Sequence, residues 1–90
     1  MNARQIFLLE FLLKQHEYLS ANQLAEKYGV STKTVYQDID KLNDFFDEGE
    51  LKSRIVKVPR KGIKLSADEE RKQIHSILLV NKHESGVQDF

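Results

Sequence analysis

The stretch Leu24–Asn43, LAEKYGVSTKTVYQDIDKLN, decides how this chain folds. At its centre Gly29 is followed by Val30 and Ser31. Glycine adopts the left-handed backbone that ends a helix without a side-chain penalty, and a serine two residues later is ready to cap the next one. One helix therefore stops at Gly29 and another starts at about Thr32. In this second helix Val35, Ile39, Leu42 and Phe46 stand at i, i+4, i+7 and i+11. They share one narrow arc that must face a core, and the spacing predicts a helix over 32–47. Ala25, four residues before the glycine, is small where two helices joined by so short a turn nearly touch, and Val30 and Val35 fill the inner corner.

Upstream, Ser20 and Gln23 have the spacing of a capping box ahead of Leu24 and Tyr28, which starts the helix that Gly29 ends. Further back, Ile6, Leu9 and Leu13 repeat at helical spacing from Ala3 to His16, and Phe7, Leu8, Phe11 and Leu12 widen the stripe to most of the circumference. This first helix is expected to be buried on several sides. Downstream of Gly49, Ile55, Val56 and Val58 form one β-prone run and Ile63 and Leu65 another, separated by Pro59, Arg60, Lys61 and Gly62. That pattern predicts a hairpin. Ser66, with Glu69 three residues on and acids at 68–70, reads as the cap of a fourth helix whose apolar face is Ile74, Ile77 and Leu78.

The expected architecture is mainly α with a small β-hairpin wing, a winged helix-turn-helix with a three-helix core plus a C-terminal helix. The expected division is 1–66 for the winged unit, 67–82 for the C-terminal helix and 83–90 for a loosely ordered tail. Ninety residues suffice for one small core, and 40% hydrophobic with 31% charged residues suits an ordinary globular domain. The absence of cysteine excludes a disulfide framework and a thiolate metal site. The chain's first ten residues lack a signal-peptide pattern, no apolar run nears the roughly 18 residues that span a bilayer, and the cytoplasm is the expected compartment.

Formal net charge is zero, yet the charges are strongly partitioned. Residues 38–50 hold six acids and one lysine, whereas 51–65 hold Lys52, Arg54, Lys57, Arg60, Lys61 and Lys64 and no acid. The neutral total conceals a basic wing.

The tract Gly29-Val30-Ser31, Thr34-Val35, Asp38-Ile39 and Leu42-Asn43, with the later Arg60-Lys61-Gly62-Ile63-Lys64-Leu65, resembles the helix-turn-helix and wing of bacterial regulators of the DeoR, biotin-repressor and PRD-containing activator types, the last most closely. The match covers about Leu19 to Leu65. It departs just before the aspartate, where those families often carry two basic residues and this chain has Tyr36 and Gln37. The resemblance implies sequence-specific binding of double-stranded DNA by the N-terminal part of a regulator. In the PRD type, regulatory domains phosphorylated by sugar-phosphotransferase proteins follow toward the C-terminus.

Helical geometry places Lys33, Gln37 and Lys41 opposite the core arc. Lys33, Thr34, Tyr36 and Gln37 are therefore the base-reading candidates, Gln37 matching adenine and Lys33 guanine. Amides and hydroxyls at Ser31 and Thr32 are placed to hold a phosphate at the positive end of the helix dipole. Asp40 and Asp44 also point outward and repel phosphates, so contact is expected to end near Lys41. On the wing, Lys57, Arg60, Lys61 and Lys64 are candidate backbone contacts.

His16, His75 and His83 form no metal-ligand spacing, and neither a phosphate-cradling loop nor a nucleophile with its base is legible. No metal, cofactor or catalysis is expected. One winged unit covers a short half-site, so a homodimer is expected. The apolar surplus of Phe7, Leu8, Phe11 and Leu12, and the run Ile74, Ile77 to Val80, are candidates for that interface or for docking a further domain. Two other readings stand beside DNA binding: a winged helix serving protein interaction, against which the basic wing argues, and the regulatory domain of a biotin ligase-type enzyme.

Overall fold

The computed structural model describes residues 1–85. Helices α1 (Ala3–Lys14), α2 (Ala21–Tyr28) and α3 (Thr32–Glu48) precede strands β1 (Arg54–Val58) and β2 (Gly62–Ser66), a 3-10 turn (Asp68–Glu70) and helix α4 (Arg71–Ser85). The mainly helical winged architecture expected from the sequence is the one observed. Among the described residues no helix is long and apolar enough to cross a membrane.

Local signals set most boundaries. Ser20 Oγ accepts from Gln23 N at 3.0 Å while Gln23 Oε1 accepts from Ser20 N at 2.8 Å, completing the expected capping box of α2. Gly29 has φ 65° and ends α2 in the left-handed conformation. Ser31 caps α3 by accepting from Thr34 N at 3.1 Å. Asn2, which the sequence reading passed over, forms a second capping box with Gln5 at the start of α1.

The core gathers Ile6, Leu8, Leu9 and Leu12 of α1, Leu24 and Ala25 of α2, and Val35, Ile39, Leu42 and Phe46 of α3, closed by Ile55, Ile63, Leu65, Ile74 and Leu78. Fully burying side chains of this size contributes roughly 1.5–3 kcal/mol each before chain entropy is subtracted, so this cluster is the main stabilising element.

β1 pairs antiparallel with β2, with Lys57 opposite Ile63 and Ile55 opposite Leu65. The hairpin is fastened at three points. Leu19 N donates to Ile63 O at 2.9 Å and Ile63 N to Leu19 O at 2.7 Å, adding one extended residue to the sheet edge. Asn43 on α3 donates to Ile55 O at 3.1 Å and accepts from Ile55 N at 2.8 Å. Glu70 accepts from the amides of Lys52 and Ser53 at 2.9 and 2.7 Å and from the Ser53 hydroxyl.

Three expectations need correction. Ser66 does not cap the fourth helix, because it is the last residue of β2 opposite Arg54, and Glu70 is drawn onto the start of the wing. The acids form a 3-10 turn without a side-chain cap, and α4 starts at Arg71. Leu8, Leu12, Ile74 and Leu78 are not surplus, since each is about 1% exposed within the monomer. α4 covers the far side of α1, with Arg71 Nη1 donating to Leu13 O at 2.6 Å and Lys82 paired with Glu10. Of the expected tail, residues 83–85 continue α4 and 86–90 lie outside the described residues.

Candidate nucleic-acid interface

The buried arc of α3 leaves Lys33, Gln37 and Lys41 exposed on the other side, together with Asp40 and Asp44. Asp38 breaks the simple polar-out pattern. It is 3% exposed and accepts from Arg4 Nε at 2.6 Å, Arg4 Nη2 at 3.1 Å and Gln5 Nε2 at 3.1 Å, all from α1. The carboxylate holds the Arg4 guanidinium above its ordinary pKa, chiefly through this hydrogen bonding.

Ser31 is exposed and Thr32 and Thr34 are half-buried at the first turn of α3. Ser31 Oγ is engaged on two sides, by Thr34 N and by Thr34 Oγ1 at 3.1 Å, so the serine acts first as a helix cap.

The wing distributes its basic residues over two faces. Lys57 shares the face of buried Ile55 and Ile63, but beyond the core edge its ammonium lies 5.0 Å from the ring centre of Tyr36 on α3. Lys64 pairs with Val56 on the opposite face, and its ammonium and that of Lys61 lie 5.5 and 5.9 Å from the ring centre of Tyr18. Ammonium groups are drawn to the negative face of an aromatic ring at these distances. Tyr18 lies in the segment between α1 and α2, outside any regular element, so no periodic signal marks it in the sequence.

Between α3 and the wing lies an open cleft of about 440 Å³ lined by Ser20, Ala21, Tyr36, Lys57, Arg60 and Lys61, among others. Arg54 is paired with Asp47, which removes it from the exposed positive set. No carboxylate of the described residues lies within ion-pair distance of Lys33, Lys41, Lys57, Arg60, Lys61 or Lys64. Asp40, Asp44 and Glu48 are also exposed along α3, and Asp47 is exposed but paired with Arg54 at the root of β1. Among the described residues, the unpaired cations of these elements are thus Lys33 and Lys41 on α3 and Lys57, Arg60, Lys61 and Lys64 on the hairpin.

At the end of α2, burial together with the nearby Glu10 charge pushes the Tyr28 phenol up to about 12. Its hydroxyl donates to Phe7 O at 3.2 Å, so it ties α2 to α1.

A capped helix, a three-residue turn, a second helix with an exposed polar face and an adjoining basic hairpin define a winged helix-turn-helix domain, a DNA-binding class of fold. The family described as HTH domain matches residues 4–64, and this chain belongs to that family of DNA-binding regulatory domains. No curated protein and no solved structure matches the chain.

Proposed function

We propose that this domain binds duplex DNA sequence-specifically and thereby positions a bacterial transcription regulator. α3 lies in the major groove, Lys33 and Gln37 read base edges, and Thr34 and Tyr36 contact the bases beside them. The amides at Ser31 and Thr32 hold a phosphate, and Lys41 makes the last contact before Asp44. Lys57, Arg60, Lys61 and Lys64 neutralise phosphates beside the groove. The observation that carries the reading is the set of unpaired cations gathered on α3 and the wing in a chain whose net charge is zero.

The resemblance of the tract Gly29 to Asn43 and of Arg60 to Leu65 to PRD-containing regulators supports a finer assignment. On it, residues 1–66 are the DNA-binding unit of a sugar-phosphotransferase-controlled activator or antiterminator-like protein working in the cytoplasm. α4 leads toward a homodimer interface or C-terminal regulatory domains. Leu79 and Val80, 48% and 55% exposed on α4, support an interface there.

Binding to random duplex DNA at rising salt, followed by selection of a site from a random pool, tests the proposal. Salt-dependent binding with an enriched palindromic site is expected. Arg60→Ala or Lys61→Ala is expected to weaken binding to every duplex and lower the salt slope by about one per lost phosphate contact. Lack of binding at low salt overturns the reading in favour of a protein-interaction module.

A further inference from the structure

We infer that Arg4 and Asp38 are positioning residues that set the pose of α3 against α1 and thereby the base discrimination of Gln37 and its neighbours. The inference rests on the DNA-binding reading above. Asp38 stands immediately after Gln37 and Tyr36, yet its side chain points into the domain, where it is 4% exposed. It is also the only carboxylate among the buried residues of α3.

A buried carboxylate is a poor means of stabilising a small core. Its desolvation cost offsets much of the attraction to its partner, and an apolar pair of similar volume is often as stable. What the ion pair supplies instead is direction. The two-pronged contact of Arg4 Nε and Nη2, at 2.6 and 3.1 Å, is satisfied at one relative rotation of the helices, whereas the surrounding Leu, Ile and Val contacts tolerate small slips.

The network continues into α1. Gln5 Nε2 donates to Asp38 while Gln5 Oε1 accepts from Asn2 N, so both ends of the amide are used and its orientation is fixed. Asn2 Oδ1 in turn accepts from Gln5 N at 2.8 Å, which makes the α1 capping box part of the same network. A rotation of α3 would break the three contacts to Asp38 together, while the α1 capping box holds the Gln5 amide in place. Base readout depends on donor and acceptor placement within a fraction of an ångström, so the rotation held here is the one that aims Gln37.

The test is Arg4→Lys, which keeps the charge and loses the fork, read beside the parent domain. The Arg4 side chain is 36% exposed, so a lysine there remains solvated and the fold is retained. We expect the thermal midpoint and the salt slope on random DNA to stay close to the parent's, while discrimination between the selected site and single-base variants falls roughly tenfold. Unchanged discrimination overturns the inference. Should Arg4→Lys unfold, Arg4→Met with Asp38→Leu replaces the pair by apolar groups. A folded double variant that keeps parental discrimination overturns the inference, and one that binds all duplexes alike supports it. A parent domain that does not bind DNA at all instead overturns the DNA-binding reading, so the two failures are distinct.

Discussion

Lys57 on the wing places its ammonium 5.0 Å from the ring centre of Tyr36 on the recognition helix, although 21 positions separate the two in the chain. The contact joins the two elements that border the basic cleft, whose lining includes both residues. Tyr36 is 39% exposed, so its ring contributes little to the core and much to this junction. Tyr36→Leu is therefore expected to leave the melting temperature nearly unchanged, and to weaken duplex binding by about 0.5–1 kcal/mol as Lys57 loses its support. Lys57→Met should weaken binding to all sequences alike and reduce the salt slope by about one. Titrations at several salt concentrations check both.

The Gln37 side chain is exposed and makes no hydrogen bond among the described residues, which leaves it available for the base reading proposed above. Gln37→Ala is expected to cost about 1–3 kcal/mol on the selected site and little on random duplex, and Lys33→Ala to behave likewise at a different base. Competition binding with single-base variants separates the two residues. Equal losses on every sequence would remove both from base readout.

Two glycines make a quantitative contrast. A Cβ at Gly29 would meet no atom within 4 Å, so Gly29→Ala pays only for its φ of 65°, roughly 1–2 kcal/mol. A Cβ at Gly62, where φ is 117°, would lie 2.6 Å from Leu19 O, the carbonyl that accepts from Ile63 N. Gly62→Ala is expected to cost more than Gly29→Ala by at least about 1 kcal/mol, since a ladder bond is strained as well as the backbone. Urea denaturation of the two variants checks the order.

Hydrogen bonds from the Ser53 hydroxyl and the Lys52 amide hold the Glu70 carboxyl below its usual range. The folded value is thus depressed relative to the unfolded one. The stability it contributes is present above the ordinary glutamate value and is lost as pH falls through the folded value. Thermal melts from about pH 6 down to pH 3 should show an acid limb that is shallower in Glu70→Gln. A limb of unchanged steepness would show that the wing root does not depend on this carboxylate.

The helix boundaries around the turn, the hairpin and the basic wing were legible because each depends on neighbours in the chain. A serine three residues before an amide, or a glycine at a helix end, acts within one turn. Ser66 shows the limit of that logic. Its spacing to Glu69 resembles that of Ser20 to Gln23, but a strand pairing claimed the serine and the wing root claimed the next acid. A local motif persists only where no stronger distant partner competes for the same atoms.

By itself the sequence determined the element types, the order of helix, turn, helix and hairpin, and the outward placement of Lys33, Gln37 and Lys41, because periodicity and capping are consequences of adjacent residues. Tertiary structure alone decided the burial of Asp38 on Arg4, 34 residues away, the grip of Asn43 on Ile55 and the facing of Lys57 to Tyr36. A polar side chain takes whichever partner the rotation of its helix and the path of a distant strand bring within about 3 Å, and that distance is fixed only when the core closes.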